Sequence, residues 1–502
     1  MAAGGIFFSD NSIRVTLPVD HVEMNYLQQF ALAWDNEKKF PELIIEGTDK
    51  DEVLGKIAAI CHPAAKVTLN GLAPKVDFRD LKPLFPRLSE LTLRKIAQVD
   101  RWESLGSCAE LSKIHINVTG WTTVDLQFLA RAGAKVTELI LDDVRQVYNW
   151  DSLAACKELS KLVVNGVRTQ ADLSFLKNAG EKLTDIELRR IRRIWHWSAL
   201  GACQQLERLS INEIRCPVDC RFLGRLTANL HSLSFCDLRE IANLQAADAC
   251  AGLTRFHLSG ADPAVDLNLL GENAKRITSL TLGGSGNDSG LASAASCRRF
   301  LRLRKLMRLG GRAMSAAEHH DANPHSTTVR RMRRLGQIRP SRLINLEKLS
   351  SCTALEKLEI RGVETEIKLD FLERIGKNMR EVVLWSVPRV SGWEGLRRCR
   401  KIIRLEITGV KSPIDLQFLE RLADLEELVL FGVGKVENWE TLGGCEKLKR
   451  LFLGECALPE NLAALLEKLT ALQQITLPPN ALPEAALAAL KGHGTEVIFW
   501  DK

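Results

Sequence analysis

No run of about 18 or more apolar residues occurs in this 502-residue chain, which argues against a membrane-spanning helix. The N-terminus, MAAGGIFFSDNS, has neither the basic start and apolar core of a secretory signal nor the Arg-rich character of a transit peptide. Walker, G-x-S-x-G and H-E-x-x-H motifs are absent, and no paired carboxylates stand in a suitable context. The expectation is therefore a protein without catalytic residues, cofactor, metal or small-molecule substrate. Clustered cysteine pairs are also missing. The 13 cysteines recur singly at long intervals, which suits free thiols in a reducing compartment, cytoplasm or nucleus, better than a secreted disulfide scaffold. Cys216, Cys220 and Cys236 form the only loose cluster and lack a fourth ligand, while His319, His320 and His325 are weak metal ligands at best. At 45% hydrophobic and 26% charged residues, the composition is that of folded protein, so global disorder is excluded.

What the chain does have is a repeat. The pattern L-x-x-L-x-L recurs as LSELTL from Leu88, LSKIHI from Leu111, VTELIL from Val136, LSKLVV from Leu159 and LTDIEL from Leu183. It continues through LERLSI, LHSLSF, LTRFHL and ITSLTL, and later through LEKLEI, MREVVL, IIRLEI, LEELVL, LKRLFL and LQQITL. Spacing is 23 to 25 residues and two kinds of unit alternate. One carries Trp, Leu and Cys, as in Trp102, Leu105 and Cys108 or Trp393, Leu396 and Cys399. The other carries D-L-x-F-L, as in Asp125–Leu129, Asp172–Leu176 and Asp415–Leu419. The period is thus a two-unit module of about 47 residues.

These residues resemble the leucine-rich-repeat family over nearly the whole chain, in roughly nineteen units. The resemblance implies an α/β solenoid, a horseshoe or arc with a parallel β-sheet on the concave face and short helical, 3₁₀ or irregular return segments on the convex face. Leucines at the first, fourth and sixth positions would share one core, and stacking would supply the stability. The ninth-position Asn usual in that family is mostly replaced, by Ile96, Val144, Val167, Ile191, Val387 and Val410. The recurring Cys is similar to the cysteine-containing subclass. The short repeats with W-x-x-L are similar in style to leucine-rich-repeat proteins of kinetoplastid protozoa.

One stretch departs in charge. From Arg298 to Arg342 there are 13 Lys/Arg against two acids, a local +11 in a chain whose total is +7, so the remainder sums to −4. The cysteine register, with Cys250 and Cys297 47 apart and Cys352 55 further on, places an ordinary repeat before Phe300 and a resumed one at Met332. The expected organisation is a cap over 1–39, repeats over 40–299, a degenerate basic repeat with an extended loop over 300–331, repeats over 332–471, and a last repeat with a closing cap over 472–502.

Strand side chains alternate, so the third, fifth and seventh positions should face outward on the concave sheet, the usual binding surface of this architecture. There Val383, Trp385, Val429, Phe431 and Phe452 put apolar groups where water is expected, a candidate site for a protein partner. Arg298, Arg299, Arg302, Arg304, Lys305, Arg308, Arg330, Arg331, Arg333 and Arg334 are candidates for contact with RNA, another polyanion or an acidic protein. The function expected is an intracellular scaffold or adaptor holding a protein partner within a larger complex. An RNA- or ribonucleoprotein-associated subunit is the alternative, with a GTPase or phosphatase regulator behind it.

Overall fold

The computed structural model describes residues 5–9, 12–19, 23–29, 42–48, 53–73, 75–120, 122–226, 229–260, 264–284 and 342–499. The chain divides into two compact units, the first Met1–Ser234 with Leu238–Leu253, the second Phe235–Asp237 with Thr254–Lys502. Among the described residues the main ladder counts twenty strands, nearly all parallel. In the first unit it begins with Gly5–Ser9, antiparallel to Ser12–Leu17, which in turn runs parallel to Glu42–Thr48. Five-residue strands such as Glu138–Asp142, Lys161–Asn165 and Asp185–Arg189 then pair residue for residue. In the second unit the strands run from Arg255–Ser259 through Arg450–Gly454 to Gln474–Leu477, and Glu496–Phe499 closes the ladder after the helix Glu484–Gly492.

The leucines make this geometry obligatory. Leu139, Leu141, Leu162, Val164, Ile186 and Leu188 point into the core and are buried, so a one-residue slip would expose every one of them. A second, shorter ladder explains why the period is two units. Thr123–Asp125 pairs with Gln146–Tyr148, Gln170–Asp172 with Arg193–Trp195, and Ile414–Asp415 with Val436–Glu437. Each pair joins an Asp unit to the Trp unit after it.

Two alternating clasps hold the modules. Within a module, the Asp caps its own 3₁₀ turn and also accepts from the first residue of the next: Asp125 accepts from the Gln127 amide (2.9 Å) and from Asn149 Nδ2 (2.6 Å). The same bridge recurs as Asn243 to Asp219 (2.9 Å), Asn345 to Asp266 (2.7 Å) and Asn438 to Asp415 (2.7 Å), with His196 in place of Asn opposite Asp172 (2.7 Å). Asn suits this position because the backbone there is left-handed, φ 57° at Asn149 and 59° at Asn438. Between modules the buried Trp donates its indole N–H to a backbone carbonyl: Trp102 to Thr123 (2.9 Å), Trp150 to Gln170 (3.0 Å), Trp393 to Pro413 (3.0 Å). The recurring Cys is packed beneath, against a glycine where one is present. A Cβ on Gly133 would sit 2.8 Å from Cys156 Sγ, and one on Gly376 2.6 Å from Cys399 Sγ.

The degenerate basic repeat expected over 300–331 lies outside the described residues, and the strands on either side of it pair with each other. Ser279–Gly283 pairs directly with Lys357–Arg361, Leu280 opposite Leu358 and Leu282 opposite Ile360. Ala264–Asp266 likewise pairs directly with Arg342–Ile344. Nothing intervenes between these paired strands, and the repeats expected to open at Phe300 and to resume at Met332 begin outside the described residues. The Trp-type segment that follows the Asp266 unit is Leu346–Cys352. Cys250 and Cys352 are 102 positions apart against 47 for Cys203 and Cys250, so 55 residues are inserted in the middle of one module.

Candidate interaction surfaces

Outward-pointing strand positions form three rows. In the first unit the first row alternates in sign along the ladder: Lys66, Glu90, Lys113, Glu138, Lys161, Asp185, Arg208. Neighbours pair at 3.1 Å (Lys66–Glu90), 2.7 Å (Lys161–Glu138) and 3.1 Å (Arg208–Asp185). The third row is bridged by amides, Asp142 accepting from Asn117 (3.0 Å) and Asn165 (2.7 Å), and Asn165 in turn from Arg190 Nε (2.9 Å). Between these rows run Thr92, His115, Ile140, Val163, Glu187 and Ser210, half-exposed. Burial pulls the His115 imidazole below the usual histidine range, keeping it neutral at pH 7. The result is a firm polar surface with one small apolar spot at Ile140 and Val163.

In the second unit the middle row and most of the third are buried while the first row stays partly exposed, which corrects the expected partner site. Val383, Trp385, Val429, Phe431 and Phe452 are 1, 6, 2, 1 and 2% exposed. They do not form a water-facing hot spot. Phe431 and Phe452 meet edge to face at 5.7 Å, over Gly454, where a Cβ would lie 2.7 Å from the Phe431 ring. The Arg361 guanidinium lies over the Trp385 ring at 5.2 Å and pairs with Glu359. Alternation along a strand fixes which way a side chain points; it does not fix whether anything lies over it.

A charged cluster that the sequence reading missed sits among these rings. Arg404 meets Glu406 at 2.7 Å, Glu381 at 3.2 Å and Glu427 at 3.3 Å, and its partner Glu406 is nearly inaccessible. Burial pulls the Arg404 guanidinium down, but the three carboxylates outweigh it and hold it above its ordinary value. The signal available in sequence was the sign alternation of the first row, Lys357, Glu381, Arg404, Glu427, Arg450.

The ten basic candidates from Arg298 to Arg334, and His319, His320 and His325, lie outside the described residues. All twelve described cysteines are free thiols. Burial pushes the thiols of Cys108, Cys156, Cys203, Cys399 and Cys445 up to about 12, so they are protonated packing groups at neutral pH. Cys216 and Cys220 do not converge on a metal site with Cys236, and among the described residues no group of three or more His, Cys, Asp or Glu side chains is placed to hold an ion. No helix among the described residues is long and apolar enough to cross a membrane.

Parallel strands in register, a return turn after each, and a leucine core shared by successive units decide the architecture. The fold is that of the leucine-rich-repeat proteins. A solved TLR13–ssRNA13 complex superposes with TM-score 0.57 at 12% identity, over 97% of this chain and 64% of that one. The Toll–Spatzle complex of Drosophila gives 0.53 at 12% identity, over 93% and 61%. The chain thus spans just under two thirds of each of these leucine-rich-repeat chains. The leucine-rich-repeat protein LIC12759 of Leptospira interrogans is matched over 92% of this chain and 90% of that one, at 14% identity and TM-score 0.49. No family model matches the sequence, and no curated protein matches it.

Proposed function

We propose that this leucine-rich-repeat protein is a non-enzymatic intracellular scaffold or adaptor, holding a protein partner within a larger complex on the outward sheet face of its first unit. One observation carries this reading: that face is accessible and held in place before any partner arrives. Its acids and bases pair across neighbouring strands, and Asn117, Asp142, Asn165 and Arg190 form one continuous hydrogen-bonded line. A face already ordered loses little conformational freedom on binding, which favours recognition. Ile140 and Val163 supply the central apolar contact and the charged rows supply the polar rim. The leucine-rich-repeat neighbours support partner binding in general, since Toll was solved in complex with Spatzle. Free buried thiols are in keeping with a reducing compartment.

Crosslinked affinity capture with wild-type and Ile140→Arg/Val163→Arg protein tests the proposal. The double variant is expected to lose specific protein partners while keeping its far-UV circular dichroism. A partner set that survives both substitutions unchanged would exclude this face as the binding surface.

A further inference from the structure

Five consecutive repeats of the first unit carry an arginine directly after the apolar residue that closes the strand's turn. Arg145, Arg168, Arg192, Arg215 and Arg239 follow Val144, Val167, Ile191, Ile214 and Leu238, at intervals of 23 or 24 residues. Each apolar residue is buried, which anchors the arginine beside it on one edge of the stack. The backbone keeps the row in step, the Arg168 amide donating to the Arg145 carbonyl (2.7 Å) and the Arg192 amide to the Val167 carbonyl (3.0 Å). At a strand spacing of about 4.8 Å the five positions span about 19 Å.

Two of the few exposed large aromatics of the described residues stand on the same edge. Tyr148 is 49% and Trp195 45% exposed, in equivalent places of the second ladder two repeats apart. Tyr148, Arg168, Thr169, Gln170, Arg192 and Arg193 line an open groove of about 580 Å³. The carboxylates alongside are already engaged: Asp172 with His196, Glu213 with Arg189 (2.8 Å), Asp219 with Arg221. Arg192, Arg193 and Arg215 have no carboxylate within ion-pair distance among the described residues, and Glu240 beside Arg239 bounds the row.

We propose that this edge binds single-stranded nucleic acid, its arginines meeting phosphates and Tyr148 and Trp195 stacking on bases. Guanidinium groups repeated along a line, with exposed rings set between them, are the two parts such a groove needs. The rings are about 10 Å apart by strand spacing, about three steps of the 3.4 Å spacing along a stacked strand, room for two bases between them. An acidic peptide would satisfy the arginines but gives the rings no planar partner. The site lies on a different edge from the sheet face proposed for a protein partner and does not depend on it.

Fluorescence anisotropy with labelled oligo-U and oligo-dT of about twelve nucleotides tests the proposal on the full chain. Binding is expected to weaken about twentyfold from about 0.1 to about 0.3 M salt, as about four phosphate contacts on a single strand require. Arg168→Glu/Arg192→Glu/Arg193→Glu should lose at least about thirtyfold in affinity and flatten that salt dependence. Tyr148→Ala and Trp195→Ala should each lose about tenfold and leave the salt slope unchanged. Ultraviolet crosslinking of the wild-type protein should map to Tyr148 or Trp195, a readout independent of how the variants fold. Preference for the RNA or the DNA probe names the source of the ligand, and either supports the site. The proposal is overturned by affinity that survives the triple substitution, which would move binding to the 298–342 arginines. Equal displacement of the probe by an oligoglutamate of the same charge would also overturn it, since the edge would then be reading charge alone.

Discussion

The two sheet faces are made by one repeat and reach different states. In the first unit the central row, Ile140, Val163, Glu187 and Ser210, stays half-exposed, and the Lys161–Glu138 pair remains in contact with water. In the second unit the same row, Val383, Glu406, Val429 and Phe452, is buried, and the sign alternation continues beneath as the Arg404 cluster. The pattern of charges is shared, while its energetic weight is not. A pair near the surface is screened and contributes little. A cation that serves one nearly inaccessible carboxylate and two more that are mostly buried matters far more to them.

This contrast can be broken most forcefully at Arg404. Arg404→Ala leaves Glu406 buried and opposed by Glu381 and Glu427, and should cost about 3–5 kcal/mol in denaturant unfolding of the second unit. A loss below about 1 kcal/mol would mean that the carboxylates reach water and that the two faces are alike. The core side should behave equally in both units. Gly133→Ala and Gly376→Ala each drive a methyl group into a cysteine sulfur and should cost about 1–3 kcal/mol. Adding Cys156→Ala or Cys399→Ala, respectively, should recover part of that loss, and recovery in one unit alone would show that the cores differ as the faces do. Arg208→Ala, the first-unit counterpart of Arg404, removes only the Asp185 and Glu207 pairs and should change stability by less than about 1 kcal/mol. The smallest effect concerns acid. The Arg221 side chain, outweighing partial burial and helped by Asn243, holds Asp219 down to about 2. A carboxyl lowered on folding stabilises the native state above its unfolded value, near 3.9, and loses that contribution as pH falls towards 2. The melting-temperature gap between wild type and Asp219→Asn should therefore narrow from about pH 4 downward.

How much of this was legible in the sequence differs by feature. Strand positions, the leucine core and the buried Cys follow from spacing alone, because periodicity dictates which way each side chain points. The aromatic site failed because large side chains on neighbouring strands cover one another, as Phe431 and Phe452 do, and alternation within one strand such as E-V-V-L-W does not announce that. The direct pairing of Ser279–Gly283 with Lys357–Arg361 was not legible, because sequence spacing does not say which strands are neighbours across a long intervening segment. The arginine edge was readable. Val144, Val167 and Ile191 stand where an Asn is usual, and an arginine follows each of them.

The alternating clasps carry a consequence for how such a chain can change length. An Asp turn finds its Asn only in the unit that follows, and the indole N–H reaches only the module after its own. The signs of the first row alternate with the same parity. Removing about 47 residues rejoins every clasp and keeps opposite charges side by side, whereas removing about 23 sets two units of one kind together, with like charges facing across the seam and an Asp left without its amide. Growth and shrinkage of this molecule are therefore quantised in pairs, and the same clasp joins Asp266 to Asn345 although 79 positions separate them.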